Sequence, residues 1–306
     1  LVDPARRETF IQARRREVLD GTARRAALQA QARAARPARP AAPPARTVDI
    51  PEPPFWGARV LDRIPLPDLY PNIDLNTLYR LHWGAKNAKG AAWERLVRDE
   101  FEPRLRRYQQ EALEHEWFTV RAAYGFFPAA ADGDDLVVFD PAAPDREIAR
   151  FRFPRQRERD RLCLADYFAP LQGDAARGGA AAPADLVAFQ IVTLGDTLLE
   201  RSGALMTGGE YGEGFYLHGF GVRLAEAAAE YVNRRIRQEL RLAAGRGLRY
   251  SWGYPACPDH TQHRTLFRLL PAREALGMDV TAAGALVPEL STAALVVHHP
   301  EAKYFS

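Results

Sequence analysis

Phe118-Thr119-Val120-Arg121-Ala122-Ala123-Tyr124 alternates its side chains as a strand should. Asp132-Gly133-Asp134 follows as a turn, and Leu136–Phe139 returns as a second strand. Ala149–Phe153 adds a third strand, and Leu186–Leu194 is a strongly apolar fourth. Ala293–His298 is a late strand. Upstream, Trp93 to about His115 reads as a helix with Val97, Phe101, Leu105, Tyr108 and Ala112 on one face. Pro103 should kink it or split it in two, because proline removes a backbone donor and crowds the preceding turn. Phe215 to about Leu242 is the clearest helix, with Leu217, Phe220, Leu224, Ala228, Tyr231 and Val232 recurring on one face. Strands in hairpin-like runs followed by helices predict an α+β fold with a twisted, largely antiparallel sheet and flanking helices.

The two ends of the chain differ in kind. Asp3 is placed to cap a helix with Pro4 in its first turn, and the Ala- and Arg-rich stretch to about Ala35 favours helix without a sustained apolar stripe. Residues 1–35 are therefore expected to be a solvated connector. Residues 36–54 hold seven prolines, which predicts a stiff, extended linker. The folded body is expected over 55–306, with an exposed Gly/Ala-rich loop at 171–183. Leu1-Val2-Asp3-Pro4 is neither an initiator Met nor a signal peptide, so it is read as the cut edge of a longer protein.

Composition excludes several classes. Residues 1–50 carry 11 Arg against 5 acidic residues, a net +6, so the rest of the chain is −3. A nucleic-acid binder needs its basic footprint on the folded body, and here it sits on the leading segment. No apolar run reaches the roughly 18–20 residues of a membrane span. Two cysteines, Cys163 and Cys257, make no disulfide framework and fit a reducing, cytoplasmic location.

The most specific run is Arg249-Tyr250-Ser251-Trp252-Gly253-Tyr254-Pro255-Ala256-Cys257-Pro258-Asp259-His260. Gly253, Pro255 and Pro258 exclude helix, so the run is expected to be an irregular exposed loop. Arg249 is suited to clamp a carboxylate with two parallel hydrogen bonds. Tyr250, Trp252 and Tyr254 offer aromatic faces to a cation. Cys257, Asp259, His260 and His263 have the spacing C-x-D-H-x-x-H, which is not a structural zinc pattern, although a metal-dependent hydrolase would use such a cluster. Cys257 has no evident activating base. Gly208–Gly214 lacks the spacing of a phosphate-binding loop and is read as a flexible loop before the central helix.

The run resembles the R-x-x-x-G-Y-P-A-C-P-x-H-T signature of the activation domain of cobalamin-dependent methionine synthases. Other blocks agree in order. Ile73-Asp74 within Leu69–Trp83 is similar to the family's early I-D-W-x-x-F-F segment. Gly125–Ala129 with Gly133-Asp134-Asp135, Phe153–Gln156, Cys163–Tyr167, Leu224–Tyr231 and His299–Phe305 resemble later blocks. The resemblance covers about residues 60–306. It implies a single C-shaped domain that binds S-adenosylmethionine and supports reductive methylation of cob(II)alamin to methylcobalamin. The parent enzyme would methylate homocysteine to methionine. The implied partners are the cobalamin-binding domain of the same polypeptide and a flavodoxin-type electron donor. The D-x-H-x-x-G cobalamin motif is absent, as are the folate barrel and the homocysteine domain with its zinc.

Residue by residue, the resemblance implies that Asp74 pairs with the ligand's ammonium and Arg249 with its carboxylate. Ser251 falls at a backbone contact, and Tyr254 lies near the sulfonium and the corrin. Tyr304 and Phe305 take adenosyl-side positions, Glu226 adds a carboxylate, and His260 faces the cobalamin domain. Leu75-Asn76-Thr77-Leu78-Tyr79 departs from the family's aromatics, and Trp252 is bulkier than usual, so it is expected to narrow the pocket. The alternative is a stand-alone S-adenosylmethionine-binding subunit that serves a partner corrinoid protein.

Overall fold

The computed structural model describes residues 48–158, 160–171 and 183–305. The expected connector over 1–35, most of the Pro-rich linker and most of the Gly/Ala-rich loop lie outside the described residues. The chain divides into two compact units, Leu1–Ala42 with Arg157–Arg161, and Pro43–Gln156 with Leu162–Ser306. The second unit carries the fold described below.

Seven strands form one sheet in the order β4-β3-β2-β5-β9-β6, with β1 alongside β2. They are β1 (Gly57–Ile64), β2 (Val120–Asp132), β3 (Asp135–Asp140), β4 (Ala143–Arg152), β5 (Asp185–Thr193), β6 (Leu248–Ser251) and β9 (Ser291–Val297). A separate two-stranded pair joins β7 (Asp279–Val280) to β8 (Leu286–Val287). Every pair is antiparallel. The expected hairpin is present, with Asp132 opposite Asp135 and Gly133 at φ 62° in the two-residue loop, where a side chain would be strained. β2 is 13 residues long because one of its edges serves two partners: Val120–Phe126 lies against β1, and Ala129–Asp132 against β3.

The sheet is covered on both faces, which explains the apolar β5 run. Leu186, Ala188 and Val192 face one core; Val187, Phe189 and Ile191 face the other. On the first face lie α1 (Gly90–Leu96), α2 (Glu102–Glu114), α3 (Thr197–Thr207) and α4 (Tyr211–Glu239). The helix expected from Trp93 to His115 is interrupted. A wider π-helical turn over Val97–Phe101 separates α1 from α2, and Pro103 sits in the first turn of α2. Proline at 103 cannot donate to the carbonyl of Asp99, so the ladder widens just before it. The second face is closed by the shorter α5 (His263–Leu269) and α6 (Ala272–Leu276).

Leu217, Phe220, Leu224, Ala228 and Val232 of α4 are buried in the first core, as their spacing predicts. Burying each large apolar side chain contributes roughly 1.5–3 kcal/mol. The helix begins at Tyr211, so Gly212 and Gly214 lie inside its first turns rather than in a flexible loop. A Cβ on Gly214 would come within 2.6 Å of the Ser202 backbone carbonyl oxygen of α3, so glycine lets α4 approach α3 this closely. Among the described residues no helix is long and apolar enough to cross a membrane.

Candidate functional site

Arg249 and Ser251 are strand residues, not loop residues. Leu248–Ser251 forms β6, which pairs with β9 so that Arg249 stands opposite Val296 and Ser251 opposite Ala294. Strand geometry sends alternate side chains to opposite faces. Arg249 and Ser251 therefore point toward α4, and Tyr250 and Trp252 point into the second core. Trp252 is buried against Phe151, Phe189 and His263, with its indole N–H donated to Gln262 Oε1 at 3.0 Å. The expectation that it narrows a ligand pocket is overturned, because the period of the strand turns it to the other side of the sheet.

On the α4 side, Arg249 Nη2 donates to Glu226 Oε2 at 2.7 Å, and its Nη1 to Ser251 Oγ at 3.2 Å. The Arg249 and Glu226 side chains are only 16% and 28% exposed. The Tyr304 hydroxyl donates to the backbone carbonyl of Arg249 at 3.2 Å, although 69% of the residue is exposed. Burial of the hydroxyl end raises its pKa, and the neighbouring Arg249 charge pulls it the other way. The Tyr250 ring lies 5.3 Å from that of Tyr304, and its hydroxyl donates to the Lys303 carbonyl at 2.8 Å, which fixes the closing segment on β6. Phe305 packs on the second core, its ring 6.5 Å from Tyr167.

Asp74 caps the short helical turn Leu75–Thr77. Its Oδ1 accepts the Thr77 backbone N–H at 3.0 Å and its Oδ2 accepts the Thr77 hydroxyl. These bonds to Thr77, led by the hydroxyl, hold the Asp74 carboxyl below the usual carboxylate range, and Arg223 adds to the shift. Leu75-Asn76-Thr77 thus supplies a cap partner where the family pattern has aromatics. Arg223 Nη2 lies 4.0 Å from Asp74 Oδ2. Arg223 precedes Glu226 by three residues on α4, so the two share a face of the helix. Two ion pairs thus form on one face of α4: Asp74 with Arg223, and Arg249 with Glu226.

Sequence reasoning missed Arg223, although it directly precedes the Leu224–Tyr231 block. Its spacing from Glu226 was the available signal. Its Nε is buried and has no hydrogen-bond partner among the described residues.

The loop after β6 is closed by reciprocal bonds, Gly253 N–H to the Cys257 carbonyl and Cys257 N–H to the Tyr254 carbonyl, both 2.9 Å. Tyr254 stands 63% exposed at its tip. Gly253 has φ 93°, and a Cβ there would come within 2.6 Å of the His260 ring. The exposed His260 ring lies against this loop at Gly253, 5.6 Å from the ring of His263. The remaining members of the C-x-D-H-x-x-H spacing also take separate partners. Cys257 donates to the Ser251 carbonyl at 2.9 Å, and burial pushes its thiol up to about 12. Asp259 caps Thr261, and His263 Nδ1 donates to the Gly284 carbonyl at 2.7 Å. No group of three or more metal-ligating side chains forms among the described residues. The hydrolase reading has no centre to rest on.

Three of the quoted blocks join in a structural network. Arg155 donates to both oxygens of Asp166 at 2.7 and 2.8 Å and to Asp134 at 2.8 Å. The Gly133–Asp135, Phe153–Gln156 and Cys163–Tyr167 blocks are tied together by this one guanidinium.

The family profile described as "Vitamin B12 dependent methionine synthase, activation domain" matches residues 100–306. The chain belongs to this family. The activation domain is 36% identical over 287 residues to the methionine synthase of Mycobacterium tuberculosis, covering 86% of this chain and 24% of that protein. It is likewise 36% identical over 284 residues to the methionine synthase of Mycobacterium leprae, covering 85% and 23%. The chain therefore spans about a quarter of the length of these curated relatives. Its fold resembles the crystal structure of the MetH reactivation domain bound to AdoHcy, with a TM-score of 0.69 and 25% identity, covering 84% of this chain and 83% of that one.

Proposed function

We propose that this activation domain binds S-adenosylmethionine on the α4 side of β6 and, within a longer cobalamin-dependent methionine synthase, supports the reductive methylation of cobalamin. The observation that carries the reading is the Arg249 fork. One arm of it, Nη2, already donates to a carboxylate, that of Glu226, at 2.7 Å, and the other donates to Ser251 Oγ. The ligand's carboxylate has the same charge and shape, and a bidentate guanidinium suits it. AdoHcy in the solved reactivation domain has the same amino-acid end-group.

In this reading Arg249 takes the ligand's carboxylate, and Asp74 and Glu226 take its ammonium. Ser251 contributes through its backbone. Tyr304 flanks the adenosyl group, whereas Phe305, packed on the second core, anchors the closing segment from the other side. Tyr254 lies near the sulfonium, where an aromatic face contributes about 0.5–2 kcal/mol. Tyr254, exposed on a loop closed by backbone hydrogen bonds, also suits contact with a flat corrin. His260, exposed beside that loop, faces the cobalamin domain. Cobalamin, held by another domain, would supply the cobalt that accepts the methyl group. The residues of this chain need no general acid or base; their work is to orient the methyl donor and hold it for docking. An electron from a flavodoxin-type donor and methylation of homocysteine belong to the parent enzyme. The separate-subunit alternative is less favoured, because the relatives carry this region within a chain about four times longer.

Calorimetric titration with S-adenosylmethionine tests the site. The 306-residue chain should bind, and Arg249→Ala should weaken binding about a hundredfold, the scale of a lost buried charge contact. Asp74→Asn, which keeps an oxygen for the Thr77 cap, should weaken it about tenfold. Unchanged affinity in both variants would remove the assignment.

A further inference from the structure

We propose that Arg223 sets the charge balance of this site and thereby selects a zwitterionic amino-acid end-group over the corresponding amine. The inference rests on the binding site proposed above and adds a specificity role for a residue outside it. Arg223 and Glu226 project from one face of α4, and each meets an opposite charge from another element. Arg249 and Glu226 touch at 2.7 Å, and Arg223 lies 4.0 Å from Asp74. The Arg223 side chain is only 17% exposed, so its charge is poorly screened by solvent.

Each ion pair balances its own charge, and Glu230 adds a further carboxylate near Tyr304. S-adenosylmethionine carries a sulfonium beside its zwitterionic end-group and brings +1, whereas the decarboxylated amine brings +2. The zwitterion's carboxylate replaces Glu226 on Arg249, and its ammonium joins Asp74 and the released Glu226. An amine without the carboxylate brings an unmatched positive charge into a partly desolvated place, which is costly. Without Arg223 the site has one positive charge fewer, so the more cationic amine gains relative to the zwitterion. Arg223 acts on the ligand through Asp74 and through the net charge, so it is a positioning residue. Among the described residues its buried Nε has no hydrogen-bond partner, so the fold leaves this guanidinium incompletely satisfied.

The experiment measures affinities of the full chain for S-adenosylmethionine and for its decarboxylated amine analogue at pH 8, where ordinary histidine side chains are neutral. Wild type should prefer the zwitterion. Arg223→Gln should shift the ratio about tenfold toward the amine, the scale expected of one charge near a partly screened ligand. Arg223→Lys should restore the wild-type ratio, which recovery of packing alone would not do. Circular dichroism checks folding of each variant. Should Arg223→Gln fail to fold, Asp74→Asn carries the same test with the sign reversed, because it removes one negative charge and sharpens rejection of the more cationic amine. A ratio unchanged within about twofold in a folded Arg223→Gln, or in Asp74→Asn when that variant replaces it, overturns the inference while leaving the site intact. Absence of binding of either compound to wild type overturns the site and the inference together.

Discussion

The two sides of β6 are built from alternate residues of one short run, and they have opposite characters. Tyr250 and Trp252 turn into an aromatic core with Phe151 and Phe189, where the side chains are buried and their polar atoms paired. Arg249 and Ser251 turn toward α4, where charged side chains remain partly open and pair across elements. The difference teaches that a single motif can carry both the anchoring and the charged groups proposed for binding. The aromatic side fixes the strand against β9, and that fixed backbone aims Arg249. Position along the run, odd or even, decides which task a residue has.

The contrast can be broken most strongly from the buried side. Trp252→Ala should cost about 3–5 kcal/mol of stability, as expected for an aromatic deleted from a packed core. Thermal unfolding measures it, and affinity of the folded fraction for S-adenosylmethionine should change far less than in Arg249→Ala. If Trp252→Ala instead removes binding at unchanged stability, Trp252 belongs to the ligand side and the alternation fails.

The next effect concerns Cys257, on the same closed side. Burial pushes its thiol up to about 12 and that of Cys163 up to about 11. The thiolate is the reactive form. Alkylation of Cys257 at pH 8 should therefore be about a thousandfold slower in the native chain than in the denatured one, and that of Cys163 about a hundredfold slower. Mass spectrometry of alkylated peptides gives both rates. Rapid native labelling of Cys257 would mean that the loop opens readily.

The smallest effect lies on the open side. Asp74 caps a helical turn in addition to its proposed ligand role, so Asp74→Ala should destabilise the chain by about 1 kcal/mol at pH 7. Its pKa is lower in the folded state than in the unfolded one. The stabilisation is therefore fully present above the unfolded carboxylate value and is lost as pH falls through the lowered folded value. Denaturant unfolding of wild type and variant should converge in acid. A difference that persists there would show that the cap does not depend on the ionised carboxylate.

Much of this organisation was legible from local pattern. The β2–β3 turn, the apolar β5 strand and the buried stripe of α4 follow from period and composition, because each is repeated over many residues. The break before Pro103 was also legible, since it follows from one missing donor. β6 was not. It has four residues, and the glycine and prolines after it dominate the local composition, so the run read as a loop. Its strand character comes from pairing with β9, more than forty residues later. The role of Arg223 was hidden for a similar reason: a helical arginine usually faces solvent, and only the approach of the Asp74 turn to α4 gives it a partner.

The sequence by itself determined the family, the antiparallel hairpins and the central helix, together with the identities of the charged residues nominated for the site. These follow from ordered motifs and from hydrophobic period, which are local properties of the chain. Only the tertiary structure decided which of those residues meet. It turned Trp252 away from Arg249, joined Arg249 to Glu226 and brought Arg223 beside Asp74. The physical reason is that the direction of a side chain is set by the pairing of its strand or the packing of its helix, and those partners lie far away along the chain.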